Sequence, residues 1–521
     1  MDFESLKELA KSVKRQKIKK IEVITNLEKS NNKIFQLYDG LANNKFKDEK
    51  EAVRHLFKSY DIKNVSYQKI KNKLIKQLEN SILFIDVDQP IFNDRAKSYF
   101  VAFKDVAVST LMLTRDSSKP AIYILQKVLE QAIKYEFIDI ASSVLKIIRT
   151  QYYTYMPGSD KYNYYANLHR KYEKMRKWES KSQDYFETLV LCYIQKRFSN
   201  HLIYESAIKY HEKLAKRTNI LDTSFFYRNI YNINIIKYCA INDLQNAFNV
   251  CNNAIEDLGN RPNTHRSTII ALYNQKIGLL THMKLGDINE YNQTIDYSLS
   301  NTEKGSFNWF RAHEGAFYLR ATHKDFQSCL WHFSQSVNSD RFTIIEGIYH
   351  DNWLLLGGYL HLLARLNQLD PQEVESVVGK FRYSKLFNEI EVLKKDKEGM
   401  NIPLILLPVL YELAQEPGKS IKEIPTDGLE KYRQRWLAND LNRRSNSFFR
   451  IVITLAQHQV LTAQQKKKIN RELAIIRSET PEIARQHFAI EVIPYETLTE
   501  LLLEKMGLFS ILEQPEPLAT N

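Results

Sequence analysis

Between Asp222 and Asp340 apolar and small residues recur at helical spacing and are interrupted by short turn signals, which restricts the fold more than any other feature of the chain. Tyr231 and Tyr238 lie on one segment, Asn242-Asp243 makes a turn, and Ala247, Cys251 and Ala254 follow at a four-then-three spacing. Small residues at that spacing let two antiparallel helices approach closely, so the unit reads as a helical hairpin. Two similar units follow, one turning at Gly286-Asp287 and one at Lys324-Asp325.

In the second unit His282, Gly286, Tyr291, Ile295 and Ser298 take the corresponding places, and in the third Cys329, Phe333 and Ser336 do. Aromatics on the first helix and small residues on the second make this pattern resemble a degenerate tetratricopeptide repeat. Asn234 stands where that family has leucine, and Ile235 where it has a small residue. Ala247, Tyr291 and Cys329 are 44 and then 38 residues apart, against roughly 34 in the regular repeat. The resemblance covers residues 222–340 and implies an all-α fold, an α-solenoid of stacked antiparallel helical hairpins with flanking helical segments. It also implies a concave groove that holds a protein or peptide partner, and it implies no chemistry. Asn232, Asn234, Asn274 and Gln275, polar residues on the first helices of two units, are the expected groove contacts. An irregular helical bundle is the alternative, since any antiparallel pair needs small and aromatic residues in its seam.

The rest of the composition agrees with helices joined by short loops. Only 15 Gly and 13 Pro occur in 521 residues, while 30 Tyr and 26 Phe supply mass for helix seams. Cys192, Cys239, Cys251 and Cys329 form no C-x-x-C pair and sit among apolar neighbours, as buried thiols in a reducing compartment would. The start Met1-Asp2-Phe3-Glu4 is acidic and lacks a signal-peptide core, and no run of about 18 apolar residues occurs. A cytoplasmic protein without a membrane span is expected.

Net charge is +13, and residues 1–80 carry 19 Lys and Arg against 11 Asp and Glu. A dense run from Lys11 to Lys20 reads as a nucleic-acid-binding arm or as a solvated helix face. Helices are expected over Lys33–Ala42, Glu49–Lys58 and from Ser66 to Ile82, then over 91–112, 122–137 and 138–153. The segment Ser81–Asp88 also reads as a short strand ending in two carboxylates, although no glycine-rich loop follows it.

From Asp160 to Phe198 a long helix sorts its faces. Tyr165, Leu168, Tyr172 and Met175 form one stripe, and Arg170, Lys174, Lys177 and Lys181 form another nearly opposite, with Tyr162, Tyr164 and Trp178 available to stack. Farther on, Phe342–Leu366 reads as one apolar helix with a Gly357-Gly358 pair for close contact or a kink, and Asn401–Ala414 as a helix bent by proline. Beyond Gly428, Arg433, Arg435, Arg443 and Arg444 are interleaved with Tyr432, Trp436, Phe448 and Phe449, a composition that grips phosphates and stacks bases. The competing reading has these arginines satisfy local carboxylates such as Glu430 and Asp440.

No catalytic motif is present. His211-Glu212 and His313-Glu314 open a zinc-protease pattern, but Ala215 and Phe317 stand where its second histidine belongs. No cofactor or metal is expected. The expected organisation is a basic amino-terminal helical segment (1–88), a repeat body (89–415), a linker (416–428), an arginine-rich helical region (429–512) and a tail (513–521). The expected function is that of a non-catalytic adaptor or regulator, with nucleic-acid binding through the basic patches as the alternative.

Overall fold

The computed structural model describes residues 32–509 apart from 44, 47, 89–92, 196–199, 284–287, 392, 396, 398, 416–425, 440–441, 459, 480 and 482–489. The Lys11–Lys20 run, the Gly286-Asp287 turn, most of the 416–428 linker and the tail lie outside these residues. Among the described residues every regular element is helical, and many helices pack on their neighbours in sequence, as Ser118–Lys134 does on Asp94–Leu113 and Phe326–Val337 on Phe307–Thr322. The architecture is an all-α solenoid of stacked hairpins. The chain falls into two compact units, 1–177 and 178–521.

In the first unit, helices Lys33–Ala42, Glu49–Phe57 and Val65–Ile82 close around Leu37, Val53, Leu56, Tyr67 and Leu74. Asp48 starts the second of them, its Oδ1 accepting from the Glu51 amide at 2.8 Å. The chain is helical to Ile82 and then turns, so Ser81–Asp88 forms no strand. Helices Asp94–Leu113, Ser118–Lys134 and Ile138–Tyr155, with the start of Asp160–Gln195, build a second core on Leu125, Ala141, Leu145, Ile148 and Tyr172.

One turn recurs in both units. At 135–137, 241–243 and 323–325 a helix ends, the middle residue adopts a left-handed conformation (Glu136, Asn242 and Lys324, each φ +58°), and the third residue takes the N-cap position of the next helix, where Asp243 and Asp325 also cap it with their side chains. The first example belongs to the amino-terminal unit and the other two to the second. In each, the amide of the third residue reaches back five positions, Asp243 to Tyr238 at 3.0 Å and Asp325 to Arg320 at 3.1 Å, which satisfies a carbonyl the helix end leaves free. Four residues past each cap comes a fully buried small residue, Ala141, Ala247 or Cys329. The turn fixes which face of the second helix meets the first, and the small side chain lets it come close.

The largest described core runs from Trp309 to Leu503 and takes in Leu413 and Leu429, residues on either side of the expected linker. Gly357 and Gly358 serve close packing: a Cβ on Gly357 would stand 2.9 Å from Val378 Cγ1, and one on Gly358 2.6 Å from Leu407 Cδ2. The expected Phe342–Leu366 helix is split into a short 3-10 turn, Phe342–Ile344, and a helix, Gly347–Arg365, because Ile345 and Glu346 between them are extended. Helix Asn401–Leu413 carries Pro408 inside it and is buried along most of its length.

Candidate functional site

In the second unit the first helices of successive hairpins are tied together by polar side chains. Arg228 Nη2 donates to Gln183 Oε1 at 3.1 Å and Asn229 Nδ2 to the Ser182 hydroxyl at 2.9 Å. Gln275 Nε2 donates to Asn232 Oδ1 at 3.4 Å, and Asn274 Nδ2 to the Asn308 carbonyl at 3.1 Å while its Oδ1 accepts from Ser298 at 2.7 Å. Farther along, the Tyr318 hydroxyl donates to Asn352 Oδ1 at 2.9 Å, and the Asn352 amide donates to Glu314, whose other oxygen pairs with Arg311. A buried amide is costly when unpaired, so each of these bonds fixes the register between helices.

Three of the four expected groove residues therefore hold the scaffold together. Asn232 is buried, Asn274 is half-buried, and Gln275 bonds across to Asn232 from an exposed position. Asn234 is half-buried, and its Oδ1 has no hydrogen-bond partner.

Beside this seam lies a pair that spacing alone did not single out. His313 and His332 meet across a hairpin with their Nδ1 atoms 2.9 Å apart, both rings buried, against Trp309 and Trp331. Burial, with Lys304 nearby, pushes His313 down to about 4. Burial, with His313 and Arg320 nearby, pushes His332 down to about 3. Burial also drives the Cys239 and Cys251 thiols up to about 12, so neither is a ready nucleophile. Among the described residues no group of three or more His, Cys, Asp or Glu is arranged to hold a metal ion.

The expected basic patch divides sharply. Arg444 is 1 % exposed: its Nε and Nη2 donate to Glu491 at 2.6 and 2.7 Å, Nη2 also to Glu496 at 2.8 Å, and Nη1 to the Glu479 carbonyl at 2.8 Å. Burial works against its charge, and the Glu491 and Glu496 carboxylates outweigh that, holding the guanidinium above its ordinary value. It is a core residue and no part of a surface patch. Arg433 is bidentate to Glu430 and bonds Asn446 at 2.8 Å, and Arg443 pairs with Glu479 at 2.7 Å. Phe448 and Phe449 are fully buried, and Tyr432 stacks on Phe449 at 5.8 Å. Arg435 is exposed and lies over the Trp436 ring at 5.0 Å.

On helix Asp160–Gln195, by contrast, Arg170, Lys174 and Lys177 are all exposed, as is Lys181 one turn farther on, beside the Tyr185 ring at 5.6 Å. Tyr164 is 61 % exposed, whereas Trp178 is half-buried under the Arg217 guanidinium at 4.5 Å.

Among the described residues no helix is long and apolar enough to cross a membrane. Comparison of the chain with family models, with curated proteins and with solved structures returns no match.

Proposed function

We propose that this protein is a non-catalytic helical-repeat adaptor or regulator, tetratricopeptide-like in its hairpins, that holds a protein or peptide partner along the stacked first helices of residues 178–521. The recurring left-handed turn followed by a buried small residue carries this reading, because units joined in the same way present one helix face after another and build recognition by addition. Buried thiols of raised pKa suit the reducing cytoplasm.

The test is affinity isolation of the full chain at low and high salt, with and without nuclease. The expected result is a stoichiometric polypeptide that survives both treatments and slows hydrogen exchange on the first helices of the second unit. Recovery of no polypeptide under any condition would overturn the proposal.

A further inference from the structure

Helices Asp94–Leu113 and Ser118–Lys134 of the first unit leave a groove of about 480 Å3 between them. Ala102 and Val128, both buried, form its floor, and Lys97, Asp105, Lys127 and Glu130 stand at its sides. Asp105 is half-buried and makes no ion pair or hydrogen bond among the described residues. Burial raises its pKa, and Lys104 and Lys127 offset this only in part, so the wall of the groove holds a carboxylate that still lacks a cation.

The apolar surface extends beyond the groove. Val101, 44 % exposed, lines it, and Val108 and Leu111, 39 % and 62 % exposed, continue on the same outward arc of the helix. Lys104 lies on that arc and reaches over the ring of Phe84, itself more than half exposed, at 5.8 Å. A contiguous apolar face rimmed by charges is a docking surface.

The chain carries a segment suited to cover it. Phe3, Leu6, Ala10 and Val13 are spaced as one stripe of an amphipathic helix, the i, i+3, i+7 pattern that lies in a groove. At about 100° per residue Lys7, Lys11 and Lys14 fall along one edge of that stripe. These positions lie outside the described residues, and the 18 residues after Val13 lead to Asn32, which caps helix Lys33–Ala42 in the same unit. That tether spans about 60 Å when extended, whereas a compact body of this size has a radius of gyration of about 16 Å. The stripe therefore reaches any face of the unit.

We infer that residues 3–13 pack as an amphipathic helix into this groove, with the apolar stripe on Val101, Ala102 and Val128 and a lysine of its edge against Asp105. A polyanion would meet Asp105 and Glu130 there. A second copy could offer the same stripe, but without the tether that holds it at an effective concentration in the millimolar range. The groove is built by helices of the first unit alone, so the inference does not depend on the partner assigned to the second.

The test uses the full chain with the photoreactive residue p-benzoylphenylalanine replacing Val101, and separately Val108, with circular dichroism confirming that each variant folds. The expected product keeps the mass of one chain, and peptide mapping finds the new bond within residues 1–14. F3D/L6D/V13D should reduce this product about tenfold or more, since three buried apolar side chains are lost from the contact. Asp105→Lys should reduce it about threefold, and K7E/K11E/K14E in the same chain should restore it. Bonds found only outside residues 1–14 would overturn the inference, as would a yield that F3D/L6D/V13D leaves unchanged or an Asp105→Lys yield that is unmoved or not restored. A product of two chain masses would overturn it too, assigning the groove to a second copy.

Discussion

His313 and His332 face each other Nδ1 to Nδ1 at 2.9 Å, so one ring donates its proton and the other accepts with a lone pair. The pair is neutral in the fold, and both pKa values lie below the roughly 6.5 of an unfolded histidine. At pH above that unfolded value neither state is charged and the pair's contribution is fully present. As pH falls toward about 4, the unfolded chain takes up protons that the folded chain refuses, and stability is lost by up to about 1.4 kcal/mol per pH unit for each ring. Urea midpoints measured between about pH 7 and pH 5 should fall steadily for the native sequence and much less for His313→Leu/His332→Leu. An equal fall in both would assign the dependence to other histidines, such as His211 and His361, which burial also lowers.

The repeated turn makes a second expectation. Asn242 sits at φ +58°, a region that asparagine tolerates, glycine enters freely and β-branched residues avoid. Asn242→Gly should leave stability within about 0.5 kcal/mol of the native value, and Asn242→Val should cost about 1–2 kcal/mol. Thermal unfolding of the two variants side by side provides the check, and similar midpoints would mean that the turn relaxes without strain.

What was legible in the sequence is what local chemistry decides. Helix Lys33–Ala42 has the expected bounds, and Asp48, Asp243 and Asp325 cap the helices that follow them, because a cap and its turn need only a few consecutive residues. The small residues Ala247, Cys251 and Ala254 are fully buried, as their spacing requires. The fate of polar residues was not legible in the same way. Whether Asn232 faces solvent or a neighbouring helix depends on how the hairpins stack, and its partner Gln275 lies 43 residues away. The same holds for Arg444, whose acceptor Glu491 is 47 residues distant, whereas the Arg433–Glu430 pair is three residues apart and sequence had offered Glu430 as a partner.

Two helical glycines should respond in opposite directions. Gly278 has nothing within 4 Å of where a Cβ would stand, so Gly278→Ala removes backbone freedom from the unfolded chain and should stabilise by about 0.5–1 kcal/mol. At Gly358 a Cβ would meet Leu407 at 2.6 Å and Leu386 at 3.1 Å, both buried, so Gly358→Val should cost about 3 kcal/mol. Denaturant unfolding measures both, and a neutral Gly358→Val would show that this contact opens without penalty.

Arg444 and Arg443 are adjacent in the chain and should behave as opposites. Arg443 is exposed and its bond to Glu479 competes with water, so Arg443→Ala should change stability by no more than about 0.5 kcal/mol. Removing Arg444 leaves Glu491, 5 % exposed, as an unpaired buried charge together with free carbonyls at Ile476 and Glu479, and Arg444→Leu should cost about 3–5 kcal/mol. Arg444→Lys should recover little of this, because an ammonium cannot reproduce the two parallel bonds to Glu491 or span Glu496 and the carbonyls at once. Arg444→Leu/Glu491→Leu should recover a large part of the loss, since the stranded charge goes with its partner. Urea unfolding of the four variants separates the cases, and a double variant no more stable than Arg444→Leu would mean that the guanidinium's packing and its carbonyl bonds, not the ion pair, hold this end of the core.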